Sequence, residues 1–158
     1  ELKDGLLALV VALFIVSPMT VVLALTPLLP PIDDTGSSIN DGCRSHTSID
    51  ALNVLPPAVI LPHINFGPSL MWATHHAAIS APYHRSTDAF MNGILPFEMA
   101  EDDMKNYVQN TPATHLLLCR GYPYKGAFAR GLATGDTVDW LRPVPLSSDA
   151  QMLFEILR

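Results

Sequence analysis

The stretch LPHINFGPSLMWATHHAAISAPYHR, residues 61–85, decides how the rest of the chain is read. An apolar run ending in Val59-Ile60-Leu61 leads into it, and a second, residues 77–81, is broken by Pro82. Between them Asn65-Phe66-Gly67-Pro68 reads as a turn opening a helix over residues 66–74. Asn65 is the expected N-cap, and Pro68 sits in the first turn, where its missing N–H is harmless. Strand, turn, helix and strand in that order form the repeating unit of a parallel sheet.

Toward the C-terminus the pattern continues. Ser86, Thr87 and Asp88 offer caps for a helix reaching residue 95. EMAEDDMKNYVQ, residues 98–109, is acidic and amphipathic and predicts a helix. THLLLC, residues 114–119, predicts a buried strand. Residues 126–132 suggest a short helix, ended by Gly135. Residues 140–146 are extended, and Pro143 and Pro145 suit an edge strand. MLFEIL, residues 152–157, is a final strand, and the short link at residues 147–151 allows an antiparallel hairpin. The expected fold is α/β: a small α/β sandwich with a mixed, partly parallel sheet over residues 51–158, preceded by one N-terminal transmembrane helix.

That helix is read from residues 5–25, GLLALVVALFIVSPMTVVLAL. No charged residue occurs between positions 5 and 32. The run meets the roughly 20 residues needed to cross a hydrocarbon core. Its apolar side chains occur all round, whereas a soluble amphipathic helix keeps them on one stripe. Ser17, Pro18 and Thr20 interrupt it, which a membrane helix tolerates. A cleaved signal peptide is the rival, but its apolar region is usually about 7–15 residues behind a basic flank. Here the flank is Glu1-Leu2-Lys3-Asp4 and the run is longer. A buried hairpin in a soluble core is the third reading.

TPLLPP, residues 26–31, ends the helix, and the polar residues 32–50 are expected to form a linker. Lys3 before the span and Asp33-Asp34 after it favour placing everything after residue 31 outside the cytoplasm. The chain opens on Glu1 rather than Met and is expected to be a piece of a longer protein. The net charge of −6 comes without a basic run, so nucleic acid is set aside as a partner.

The two cysteines, Cys43 and Cys119, are too few for a four-ligand metal site. In an oxidising compartment they could pair, closing a loop of roughly 75 residues worth about 4 kcal/mol in the chain-entropy model. Two unrelated thiols, with Cys119 packed on a strand, is the alternative. The stretch 61–85 holds His63, His75, His76 and His84 but no carboxylate. Adjacent His75 and His76 diverge on any regular element, so polar turn residues or partly buried, hydrogen-bonded imidazoles are favoured over a metal site. Asn65 and Gly67, at a helix start, could bring N–H groups to an anion, or could form only a strand-to-helix turn. Tyr83-His84-Arg85 follows a strand end. Arg85 could hold a carboxylate or phosphate, or could simply pair with Asp88. No nucleophile motif is present.

In their order, PPAVILPHINFGPSLMWATHHAAISAPYHR, THLLLCRG, GLATGDTVDWLRPVPL and MLFEILR resemble one bacterial family. It is the C-terminal extracytoplasmic domain of polytopic inner-membrane proteins of glycosyltransferase-like type. The resemblance runs from Cys43 to Arg158 and rests on Phe66-Gly67-Pro68, Ala81-Pro82-Tyr83-His84-Arg85 and residues 132–141. It implies a periplasmic cap on a bundle of membrane helices, residues 5–25 being the last, in the bacterial inner membrane. Its partners would be the lipid bilayer, the remaining helices of the same protein, and a lipid-linked sugar or glycan acceptor. Asn65, Gly67, Tyr83, His84 and Arg85 would contact that ligand. Asn65 stands where the family commonly has an acid. Catalytic carboxylates and metal would lie in upstream loops, so no cofactor is expected in this fragment. The implied function is an accessory or substrate-recognition domain of a membrane glycosyltransferase. The alternative is a non-enzymatic structural or assembly domain.

Overall fold

The computed structural model describes residues 42–82 and 85–158. The apolar run at residues 5–25, and Tyr83 and His84, lie outside the described residues. Among those described, no helix is long and apolar enough to cross a membrane.

The elements follow in the order α1 (His46–Asp50), β1 (Val59–Pro62), α2 (Gly67–Ala73), β2 (Ala77–Ala78), α3 (Thr87–Asn92), α4 (Glu101–Gln109), β3 (His115–Cys119), α5 (Ala127–Thr134), β4 (Leu141–Val144) and β5 (Gln151–Ile156). The strands form one five-stranded sheet in the order β2-β1-β3-β5-β4. β1 runs parallel to β2 and β3, while β5 runs antiparallel to both β3 and β4. The fold is therefore α/β with a mixed, partly parallel sheet, and the last two strands make the expected edge hairpin.

Successive strand side chains point to opposite faces, and both faces of this sheet are buried. Leu61, Leu116 and Phe154 are register partners and pack with Met104 and Val108 of α4 and Leu132 of α5. One step along each strand, Ile60, Leu117 and Leu153 pack with Leu52 and with Leu70 of α2. This explains the nearly unbroken apolar text of β3, whose Leu116, Leu117 and Leu118 are all fully buried. On the outer edge, Pro143 of β4 loses no interior ladder bond, and Arg142 pairs with Glu155 across from it. Gly135 ends α5 in the left-handed region, at φ 116°, where a Cβ would be strained.

Several local expectations are corrected. Asn65 does not cap α2. It lies inside a 3₁₀ turn, Ile64–Phe66, closed by the Phe66 N–H on the His63 carbonyl, and Phe66 takes the cap position without a side-chain bond. β2 is two residues long, and although the Ile79 N–H still donates to the Ile60 carbonyl at 3.0 Å, the chain turns away from β1 at Ser80. The Ser80 hydroxyl donates to the Pro62 carbonyl at 2.5 Å instead of continuing the ladder. The helix expected from residue 86 to 95 stops at Asn92, and a 3₁₀ turn, Leu95–Glu98, separates it from α4. The polar stretch expected as linker up to residue 50 is packed from Cys43 onward. Ser45 caps α1, buried Ser48 bonds the Gly42 carbonyl and the Ser148 hydroxyl, and Ile49 is buried. Serines that read as solvated loop are here closing backbone and side-chain hydrogen bonds.

Cys43 and Cys119 form a disulfide, with Cα atoms 5.8 Å apart. The bond ties the segment ahead of α1 to the carboxyl end of β3.

Candidate functional site

The chain leaving β1 enters α2, which packs on one face of the sheet. The chain leaving β3 enters α5, which packs on the other. The two exits diverge, leaving a crevice at the carboxyl ends of adjacent parallel strands. α/β folds place ligands at such switch points. A cavity of about 230 Å³ lies there, lined by His63 and Ile64 after β1, Tyr122 to Lys125 after β3, and Ile94, Phe97 and Glu98.

His63 is the first residue past β1. Its ring centroid lies 4.6 Å from that of Tyr122, 5.5 Å from Phe97 and 6.0 Å from Tyr124, mostly edge to face. Phe97 and Tyr124 stack at 5.6 Å. Nε2 is 3.3 Å from the Tyr122 hydroxyl, whereas Nδ1 is buried with no hydrogen-bond partner among the described residues. Burial pulls the His63 pKa down to about 4, against a smaller upward pull from the Glu98 carboxylate. An imidazolium here would bury a second N–H with no acceptor, so the ring is neutral at pH 7.

The tyrosine loop is held from several sides. The Cys119 N–H donates to the Tyr124 hydroxyl at 2.8 Å, and the Arg130 guanidinium donates to the Tyr124 carbonyl at 2.8 Å. Burial raises the Tyr124 pKa far above the ordinary phenol value, offset in part by the Cys119 N–H, so it stays protonated. Burial also raises the Tyr122 pKa, while the Asn65 side chain, hydrogen-bonded to it, pulls the other way. Phe66 and Tyr122 pack on the Cys43–Cys119 disulfide, directly beneath this loop. At the rim, Lys125 and Glu98 pair at 3.4 Å, both solvent-exposed.

The arrangement offers a neutral, aromatic-walled recess with a polar rim. It has room for a small group. Among the described residues no three His, Cys, Asp or Glu side chains are grouped to hold a metal ion. No protein-family model, curated protein or solved structure matches this chain. The reading of the site therefore rests on its own geometry.

The residues singled out from sequence fare unevenly. Asn65 is exposed and reaches the pocket through Tyr122. Gly67 is buried, and the close approach it permits is by the chain itself: a Cβ there would lie 3.0 Å from Ala81 Cα and overlap the Ser80 carbonyl oxygen. It is not a ligand-facing glycine. Arg85 is exposed and does not line the pocket. His75 and His76 serve structure: their Nε2 atoms bond the Leu55 and Leu52 carbonyls at 2.8 and 2.9 Å. Sequence reasoning missed Tyr122, Tyr124, Phe97 and Lys125. The available signal was Tyr-Pro-Tyr-Lys, set two residues off from the end of the clearest strand, since the carboxyl ends of parallel strands point at ligand sites.

The His63 shift makes a pH prediction. Its folded pKa is depressed, so between pH 6.5 and about 4 the unfolded chain binds more protons than the folded one. Stability therefore falls as pH drops through that window and levels off below it. After discounting for partial exposure, the loss is of the order of 1–2 kcal/mol. Burial also lowers the His115 pKa, in the same direction. Urea titrations at pH 7 and pH 4 should thus show a smaller drop in His63→Gln than in wild type, with a residue left from His115. An equal drop in both would remove His63 from the account.

Proposed function

We propose that the chain is an extracytoplasmic recognition domain of a polytopic membrane protein, of the glycosyltransferase type that uses lipid-linked sugar. Its ligand would be held at the pocket between the ends of β1 and β3. The observation that carries the binding role is that pocket: an aromatic-walled recess at the carboxyl ends of the parallel strands β1 and β3, with a neutral histidine in its wall. The buried disulfide supports a location outside the cytoplasm, where such bonds persist. The uncharged run at residues 5–32 supports attachment to a bilayer. The catalytic groups would be carried by other parts of the whole protein.

The test is transfer from a polyprenyl-phosphate sugar by membranes containing the full-length protein. Tyr122→Ala should raise KM roughly tenfold, the size expected for losing one hydrogen-bonding contact with its ring. Arg85→Ala should leave the reaction near wild type. Unchanged kinetics in Tyr122→Ala would overturn the pocket assignment. Sugar transfer by residues 1–158 alone would overturn the accessory role.

A second reading, a non-enzymatic assembly domain, draws on one observation. Trp72 on α2 is 91% exposed and Val54 74% exposed. The Asn53 amide donates to the Ala73 carbonyl at 3.1 Å, joining the chain next to each of these two residues. Under this reading Trp72→Ser, and not Tyr122→Ala, would disrupt the whole protein's function.

A further inference from the structure

We infer that the domain lies against the bilayer through one uncharged face, on which Trp72 of α2 and Val54 enter the lipid headgroup layer. This rests on the bilayer attachment proposed above and names the surface that meets the lipid.

Charge is the first argument. From residue 51 to residue 84 the chain carries no Asp, Glu, Lys or Arg. That stretch supplies β1, α2 and β2, which run out to the β2 edge of the sheet. Its solvent side is built without charge, where a water-facing surface normally mixes both signs. Trp72 and Val54 are the most exposed large apolar side chains among the described residues, and both belong to it. They share one surface. Besides the Asn53–Ala73 hydrogen bond, the Leu55 carbonyl accepts from His75 Nε2 at 2.8 Å, so residues 53–55 run beside residues 73–75. Pro56 and Pro57, also exposed, extend it. Single apolar side chains are ordinary on a surface, whereas an adjoining set with no charge among them marks a contact.

The second argument is direction. Leu70 and Leu52 pack on the same face of the sheet. Two positions past Leu70, Trp72 is turned about 200° round the helix, away from the sheet. α1 packs against α2, so the chain enters the domain in the layer that carries Trp72. Nine residues, 33–41, separate the uncharged run from Gly42. Even fully extended they reach only about 30 Å, so a bilayer that holds the run is close to this layer.

The chemistry of the contact is the third. Indole rings gather at headgroup level, where the ring body meets acyl chains and the N–H stays with water. The stretch has no charge to dehydrate, so laying it on lipid avoids the main cost of such a contact. It also has no basic side chain with which to select anionic lipid, so a phosphatidylcholine surface suffices.

Tryptophan fluorescence of the full chain in phosphatidylcholine vesicles tests this. Trp72 and Trp140 are its two tryptophans, so subtracting the emission of Trp72→Ser, a surface change, leaves that of Trp72. That emission should be blue-shifted, shielded from acrylamide, and quenched when the lipid is brominated near the headgroup end of its acyl chains. Val54→Ser should lower the ratio of docked to undocked domain roughly fivefold, the weight of one small apolar side chain partly returned to water. Adding phosphatidylglycerol should not strengthen the quenching. Trp72 emission open to acrylamide and untouched by brominated lipid overturns the docking face, while flotation of the chain with the vesicles keeps the attachment standing. A chain that does not float overturns both. Shielding from acrylamide without quenching by brominated lipid gives the face to a protein surface, such as a second copy of this chain, and overturns the lipid contact. An unchanged ratio in Val54→Ser overturns the placement of Val54 in it.

Discussion

Replacing Cys43 and Cys119 together by alanine lowers the unfolding free energy by about 4 kcal/mol. The two residues are 76 apart, and cross-linking a loop of that length restricts the unfolded chain by about this amount in the entropy model. For a domain of this size the melting temperature should fall by roughly 10–20 °C. Alanine is the informative substitution. Cys43 and Cys119 are 1% and 0% exposed, so serine would add a buried hydroxyl in need of a partner. The effect reaches the pocket as well. Phe66 and Tyr122 pack on the disulfide, and the Cys119 N–H holds the Tyr124 hydroxyl. Amide exchange across the tyrosine loop should therefore accelerate more than exchange in β4, the edge strand separated from β3 by β5. Urea unfolding within about 1 kcal/mol of wild type would mean that the bond constrains little in the unfolded chain.

Gly67→Ala should destabilise the protein by about 3 kcal/mol or more, beyond the usual range for overpacking a core. The added Cβ would overlap the Ser80 carbonyl oxygen and press on Ala81 Cα and Cβ, both at 3.0 Å. These are backbone atoms or sit directly on the backbone, so no flexible side chain can move aside. Ser80 is itself anchored, through its hydroxyl, to the Pro62 carbonyl at the end of β1. The whole strand–helix–strand unit would have to shift. Thermal unfolding of Gly67→Ala beside Gly42→Ala gives the comparison, because a Cβ at Gly42 meets only the Ala150 side chain, at 3.9 Å. Equal melting temperatures for the two variants would refute the packing argument.

The same glycine shows how far sequence reasoning carried. Phe66-Gly67-Pro68 correctly marked the passage from β1 into α2, because Pro in a first turn and an apolar run before it are local signals. Whether Gly67 admits a ligand or its own chain depends on residues 80 and 81, which only folding brings alongside. His63 carries the same lesson in reverse. Beside a run of other histidines it looked like a turn residue or a partly buried imidazole. Its distinguishing property, a depressed pKa in an aromatic wall, is supplied by Phe97, Tyr122 and Tyr124 from distant parts of the chain. The candidate group Asn65, Gly67, Tyr83, His84 and Arg85 was chosen within one stretch. The pocket is assembled from three.

The linker is the other instructive case. Residues 42–50 are polar, and polarity in a short segment usually means solvent. The disulfide and the Gln151 amide, which donates to the Cys43 carbonyl at 2.8 Å, draw this segment onto the domain. Both ties come from far along the chain, so nothing in the local composition foretells them.

By itself the sequence determined the α/β class, the buried β3 strand, the acidic helix α4 and the C-terminal edge hairpin. These follow from the period of apolar residues and from Pro and Gly punctuation, which act over a few neighbouring positions. The tertiary structure alone decided which helix packs on which face, and hence where the crevice between β1 and β3 opens. It also decided that Tyr122 and Tyr124 share a cavity with His63, and that the glycine of the turn is filled by its own chain. Those outcomes depend on long-range pairing, in which side-chain volume and burial are set by residues dozens of positions away.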